Sequence, residues 1–313
     1  MTMKDQYPSE PTAQEIDEGY REFVGEGISA WHFPMMNDTV RNDAYEAALS
    51  AALKKGGTVL DIGAGSGLLA MMAARQGASH VVTCEEIPLI ARKATEIVKR
   101  NGYAERIQVI NKLSTKLQVG KDFPERADVL VTEIFDDGLL GERAFLAIEH
   151  AQKHLLKPNA QLIPAGARVL YMAIESQEIF ENHRVGQASG FDLSVFNEFS
   201  DSNYTGYHLE KVAYRALSTP KKVFEFNFKN ITSEGTLPLE LEVTESGLCH
   251  AIAYWFELQL DEKTVISTAP NLPRRSCWKQ AVQLLETPLK FTKGERHKLT
   301  AHHTSEAIWF KLS

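Results

Sequence analysis

Cysteine is scarce in this sequence: Cys84, Cys249 and Cys277 are the three among 313 residues. Their spacing matches no metal site, and three are too few for a disulfide framework, so neither zinc nor cross-links is expected to hold the fold. No apolar run approaches the ~20 residues of a membrane span, and the N-terminus lacks the apolar core of a secretory signal. The chain is therefore expected to be cytoplasmic, with no membrane partner. Basic charge is in deficit. Lys and Arg number 34 against 41 Asp and Glu, a net charge of −7. That balance disfavours direct nucleic-acid binding and suits a basic partner such as an Arg-rich peptide. Repeats and low-complexity tracts are absent too. What is present, 43% hydrophobic and 24% charged residues, fits a globular chain long enough for two domains.

The stretch Val59-Leu60-Asp61-Ile62-Gly63-Ala64-Gly65-Ser66-Gly67-Leu68-Leu69 reads as a buried strand, a glycine turn and a helix start. An apolar run of this length suits a strand of a parallel sheet. Three glycines at alternate positions let the backbone turn sharply and approach a ligand. The free N–H groups of the following helix then face a site above the carboxyl end of the strand. A dinucleotide fingerprint needs Gly at position 68, where Leu68 stands. The pattern Asp61-x-Gly63-x-Gly65-x-Gly67 resembles the first motif of class I S-adenosylmethionine-dependent methyltransferases. A tight turn with no ligand is the alternative.

Alternating strands and helices surround this stretch. Asn37 or Asp38 is placed to cap a helix from Thr39 to Lys54. The next strand, His80–Glu85, ends on Glu85, an acid placed to accept hydrogen bonds from both hydroxyls of a ribose. Pro88 opens a helix to about Asn101. Strands follow at Arg106–Asn111, with Ser114 and Thr115 after it, and at Asp128–Glu133. A helix over about Glu142–Leu156 and a strand near Val169–Ile174 complete the expected sheet. This is a doubly wound α/β domain. From about Ala167 the pattern changes to period-two strands, as in Phe224, Phe226 and Phe228, then Ala253–Leu260, Ala281–Leu284 and Ile308–Phe310, which suggests an antiparallel barrel or sandwich. The polar, irregular stretch Glu178–Tyr207 is too long for an ordinary loop. The division expected is a polar extension over 1–25, a Rossmann-like domain over 26–165, and an antiparallel domain over 166–313.

Glu133 and Glu142 stand nine residues apart. On one straight helix they would face opposite ways, but a hairpin at Gly138 can bring both carboxylates to one pocket beside the glycine turn. Two carboxylates suit a guanidinium, whose planar fork matches bidentate acceptors. The plain alternative is a strand-end acid and a separate acid at a helix start. His302 and His303 have no ligand partners at metal spacing and are expected on the rim of the second domain. No metal is expected. Trp31 reads equally as a lid over a cofactor or as core.

These residues together resemble the protein arginine methyltransferases, over roughly Glu26 to the end. His32, Met35, Asp38 and Arg41 match that family's N-terminal helix. Asp61, Gly63, Gly65 and Gly67 match its cofactor loop, Glu85 its ribose acid, and Glu133 with Glu142 its double-glutamate loop. The resemblance implies a class I methyltransferase Rossmann-like domain followed by a β-barrel with an inserted dimerisation arm at about 178–210, and hence a homodimer. It implies S-adenosyl-L-methionine as cofactor and S-adenosyl-L-homocysteine as product. Arg41 would pair with the methionine carboxylate, His32 would help hold the cofactor, and Met35 would pack over the transfer site. Ser114 and Thr115 stand where relatives carry an adenine-reading acid. A late Thr-His-Trp loop of the family here reads Ser276-Cys277-Trp278, which is expected at the substrate pocket and takes from Asp38 its usual His partner. Cys277 and the segment before Thr39 are most like subfamily 9, which forms symmetric dimethylarginine. Val109–His150 is similar to subfamily 7, which stops at monomethylarginine. A methyltransferase acting on a small guanidino compound, and a non-catalytic binding module, are the competing readings.

Overall fold

The computed structural model describes residues 31–200, 203–273 and 276–312. The polar extension expected over 1–25 lies outside them. Helix α1 (His32–Met36) leads into α2 (Thr39–Ala52). The Asp38 carboxylate caps α2 by accepting the Arg41 N–H at 3.0 Å, which satisfies one of the N–H groups a helix start leaves unpaired. Strand β1 (Thr58–Ile62) runs into α3 (Leu68–Arg75), then β2 (His80–Glu85) into α4 (Pro88–Arg100), β3 (Ile107–Asn111), β4 (Ala127–Thr132), α5 (Ala144–His154) and β5 (Leu156–Ile163). Pro88 sits in the first turn of α4, where its missing N–H costs nothing. That helix buries Ile90, Ala91, Ala94 and Val98, a single helical face.

The five strands form one parallel sheet in the order β3-β2-β1-β4-β5. The first strand of the glycine stretch is thus central, and all but one of its residues are buried. The fifth strand differs from expectation: it is Leu156–Ile163, paired parallel to β4, and not Val169–Ile174. Pro158 and Asn159 disguise it as a turn. Proline is tolerated there because β5 ends the sheet and its pairing is irregular near Ala127–Val129.

Strand β6 (Gly166–Glu175) opens a second, antiparallel unit. It is followed by α6 (Gln177–Glu181), the short hairpin β7 (Gln187–Ala188) and β8 (Phe191–Asp192), β9 (Thr205–Tyr207), β10 (Arg215–Ala216), β11 (Lys221–Asn227), β12 (Gly235–Glu242), β13 (Gly247–Gln259), β14 (Val265–Ser267), β15 (Gln280–Phe291), β16 (Arg296–His303) and β17 (Ile308–Leu312). A seven-stranded sheet runs β10-β6-β13-β15-β9, with β11 also on β6 and β14 on β13; a three-stranded sheet runs β12-β16-β17.

Strand β13 does not alternate buried and exposed as expected, because both of its faces are covered. Ile252, Tyr254, Phe256 and Leu258 join the large core shared with the parallel domain. Ala251, Ala253 and Trp255 meet Met172, Ile174, Ile179 and Leu209 in a second, smaller core. Each large side chain so buried contributes about 2–3 kcal/mol of hydrophobic stabilisation. His303 is buried too, edge-on to Phe224 and Phe226, and not on a rim. Its strand alternates, which turns it inward while His302 faces out and stacks on Trp309. No helix among the described residues is long and apolar enough to cross a membrane.

Candidate active site

A cleft of ≈ 470 Å³ opens at the carboxyl ends of β1, β2 and β4, where open parallel sheets bind ligands. His32, Met35, Arg41, Gly63, Gly65, Glu85, Ser114, Thr115, Glu133 and Glu142 all line it. Seven separate chain segments thus bring their expected site residues to one place. Trp31 lines the cleft, 47% exposed and stacked on the His32 ring, which favours the lid reading over core.

The glycine turn is built for close approach. Gly63 has φ +85°, and a Cβ there would come within 2.6 Å of Ile134 Cγ2. Gly67 has φ +78°, and its Cβ would press on Val98 at 3.1 Å. Gly67 lies behind the cleft wall and serves packing between α3 and α4, not the cleft surface. Asp61 likewise stays out of the cleft, against expectation. Its side chain is fully buried and accepts the Thr83 hydroxyl at 2.7 Å. Burial, then Glu85, pushes this carboxyl up to about 7. One of its oxygens has no partner among the described residues. Glu85 stands where the sequence placed it, and backbone N–H groups of Gly65 and Ile87 hold its two oxygens at 3.1 and 3.0 Å.

Glu133 leaves the end of β4 and receives a hydrogen bond from Arg41 Nη2. The two side chains are 5% and 4% exposed. Arg41 Nη1 donates to Asn42 at 2.7 Å, and its Nε has no partner among the described residues. Burial holds the Glu133 carboxyl above the ordinary range, with the Arg41 charge opposing. Across the loop, Glu142 lines the cleft and is exposed to solvent. Partial loss of solvation within the cleft first, then the charges of Glu133, Asp136, Asp137 and Glu85, pushes its carboxyl up to about 7.

Ser276, Cys277 and Trp278 do not line the cleft; they brace it from behind. The Cys277 N–H donates to Asp38 Oδ2 at 2.8 Å. Asp38 therefore keeps a partner from this loop, a backbone group where a histidine side chain was the family expectation. Trp278 Nε1 donates to the Phe135 carbonyl at 2.7 Å, and its ring is buried against Phe256. Ser276 Oγ accepts the Trp278 N–H at 3.2 Å. Burial and the neighbouring charges of Glu133 and Asp38 hold the Cys277 thiol far above its ordinary range, so it stays neutral and does not act as a thiolate. Sequence reasoning missed Leu113, Ile134 and Leu146, which supply apolar walls. No motif marks them, though each neighbours a residue that was singled out or a helix face that had to point somewhere.

Residues 166–311 match the arginine methyltransferase oligomerization subdomain, and residues 46–171 match a ribosomal protein L11 methyltransferase model. An arginine N(omega)-methyltransferase of Streptomyces achromogenes is 38% identical over 92% of this chain and 80% of its own length. The chain belongs to the arginine methyltransferase family. Protein arginine N-methyltransferase 9 of Homo sapiens is 33% identical over 82% of this chain, and protein arginine N-methyltransferase 7 of Drosophila grimshawi is 31% identical over 96%. The chain spans only 34% and 49% of the length of these two relatives. Among solved structures, a protein arginine methyltransferase 1 enzyme–prozyme heterotetramer of Trypanosoma brucei with S-adenosylhomocysteine superposes with a TM-score of 0.76 at 24% identity, covering 87% of both chains. That likeness concerns the fold.

Proposed function

We propose that this arginine methyltransferase homologue transfers a methyl group from S-adenosylmethionine to a guanidino nitrogen of arginine, releasing S-adenosylhomocysteine. The observation that carries the reading is the convergence of two carboxylates, Glu133 and Glu142, on the cleft that holds the glycine turn and Glu85. The cleft fits such a cofactor. Its glycine cradle would be filled by a Cβ at Gly63. Glu85 retains unspent lone pairs for ribose hydroxyls, since each oxygen accepts one backbone bond and can accept more. The unpartnered Nε of Arg41 offers a buried donor for the methionine carboxylate. Ser114 and Thr115 at the far end offer hydroxyls and backbone to adenine, and Met35 supplies an apolar wall.

When bound, the cofactor supplies a methyl carbon activated by a sulfonium, with a neutral thioether to leave. The protein must hold one guanidino nitrogen on that carbon in line, which paired carboxylates do through fixed N–H···O bonds. A guanidinium has a pKa above about 12 and a delocalised lone pair. Glu133 is already committed to Arg41, so it orients. Glu142, with a carboxyl near 7, takes the proton shed as the N–C bond forms.

Arginine within a basic protein is the first reading of the substrate, in line with the acidic charge and the names of the subfamily 7 and 9 relatives; the product is then symmetric dimethylarginine or monomethylarginine. Free arginine is the second. What favours it is the Streptomyces relative, matched over most of its own length and named for arginine alone. The antiparallel sheets would form the family's β-barrel, and the segment 178–210 its arm. Phe191, Val195, Phe196 and Phe199 there are 68–81% exposed, more apolar surface than a free monomer ordinarily presents. A second copy covering them would give the homodimer. Unpaired cysteines and the acidic balance fit the cytoplasm. The test is to offer labelled S-adenosylmethionine with free arginine or with an Arg/Gly-rich protein. Transfer to the protein supports the first reading and transfer to free arginine alone the second; transfer to neither, with the cofactor bound, would refute both.

A further inference from the structure

The loop between the two glutamates is gripped from outside the cleft. Tyr204, one residue before β9, donates its hydroxyl to Asp136 Oδ2. The other oxygen of Asp136 accepts the Gly141 N–H at 3.0 Å, one residue before Glu142. The Tyr204 ring covers Gly138 so closely that any Cβ there would overlap it, and a Cβ on Gly141 would overlap the Asp136 carboxylate. On its far side Tyr204 meets the buried ring of Tyr254 edge-on, 5.6 Å between centroids. Tyr254 is in turn tied to the Ile308 carbonyl at 3.2 Å. Next along the loop, Asp137 Oδ1 accepts the Lys279 N–H at 2.8 Å. Asp136, Gly138 and Gly141 are therefore explained by the Tyr204 wedge, and Asp137 by a second contact from the segment before β15. Tyr204 also stands where the irregular segment after α6 returns to the sheet through β9.

We infer that Tyr204 is a positioning residue for Glu142, acting through Asp136 and the Gly141 amide to fix the loop that carries the carboxylate to the cleft. The inference rests on the reading that Glu142 engages the guanidinium. Burial and the Asp136 charge hold the Tyr204 hydroxyl above its ordinary range, so it remains a donor across the working pH range. A neutral donor on an ionised acceptor is among the stronger hydrogen bonds, and a small misplacement of a catalytic group is costly to rate.

Tyr204→Phe keeps the ring over Gly138 and removes only the hydroxyl. The expected result, with saturating substrate at pH 8.5, is a kcat at least tenfold below wild type, with cofactor affinity by calorimetry unchanged and the thermal midpoint lowered by only about 2–6 °C. Asp136→Asn can accept from Gly141 and donate to the Tyr204 oxygen, and should stay within about threefold of wild type. Asp136→Ala breaks both links and should lose at least as much as Tyr204→Phe, and the Tyr204→Phe/Asp136→Ala double variant should be no worse than Asp136→Ala. A wild-type kcat for Tyr204→Phe, or losses that multiply in the double variant, would overturn the inference. Glu142→Gln separates the two levels. If it is inactive while Tyr204→Phe is normal, only the positioning role fails; if it is active, the reading of the site fails as well.

Discussion

Replacing Arg41 by Met removes the cation from a nearly sealed pair. Arg41 and Glu133 side chains are 4% and 5% exposed, and methionine keeps much of the aliphatic stem, so the loss is chiefly of charge. Breaking a buried pair from one side costs about 3–5 kcal/mol, because the remaining ion stays buried without compensation. At roughly 2 °C per kcal/mol for a chain of this size, the thermal midpoint should drop about 6–10 °C at pH 8. The pH dependence has a definite sign. Burial already holds the Glu133 carboxyl above the ordinary range and Arg41 opposes it, so removing Arg41 raises it further. A carboxyl raised in the folded state contributes stability that is complete below its unfolded value and lost as pH rises through its folded value. The deficit of Arg41→Met should therefore shrink between pH 8 and pH 5. Calorimetric unfolding of wild type, Arg41→Met, Glu133→Gln and the double variant at both pH values checks this. In the double variant a neutral amide replaces the stranded carboxylate, and part of the loss should return. Equal stability of Arg41→Met and wild type at pH 8, a deficit that grows on acidification, or no recovery in the double variant would refute the reasoning.

Other expectations follow from the same geometry. Glu142→Gln should abolish methyl transfer while leaving cofactor affinity intact; wild-type turnover would remove the proposed base. Glu133→Gln should do the same but also lower the midpoint, since it strands Arg41. Activity should fall about tenfold per pH unit below the Glu142 value of about 7, because the carboxylate form is required, and a profile flat to pH 5 would contradict that role. Gly63→Arg should eliminate cofactor binding in calorimetry, because φ is +85° and Cβ would lie 2.6 Å from Ile134; unchanged affinity would place the cofactor elsewhere. Replacing Phe196 and Phe199 by Ser should leave a folded monomer in sedimentation, and an intact dimer would move the interface off this segment.

Much of the site was legible because its residues sit at ends of regular elements. Glu85 closes β2, Glu133 follows β4, and Gly63 follows β1, so the periodicity of the strands alone aims them at one edge of the sheet. Long-range contacts were not legible. Nothing in the spacing of Asp38 and Cys277, 239 residues apart, signals a backbone N–H on the capping carboxylate. Tyr204 carries no motif, and its role emerges only when β9 folds back beside the glutamate loop. Asp61 misled for a local reason: a strand turns alternate side chains to opposite faces, and this one faces Thr83 and the interior. Strand β5 was hidden by Pro158, whose meaning depends on whether a strand is central or at an edge, which the sequence does not print. The two-sided burial of β13 depended on what covers its outer face, a short helix and β6 residues distant in the chain.

The most direct test of the central claim is the chemical position of the transferred methyl. The purified chain would be incubated with methyl-labelled S-adenosylmethionine and the better of the two arginine substrates, and the product hydrolysed and resolved by chromatography with mass analysis. The account predicts all label on a terminal guanidino nitrogen of arginine, and none when Glu142 is glutamine. Label on any other amino acid or atom, or full labelling by the Glu142→Gln variant, would contradict it.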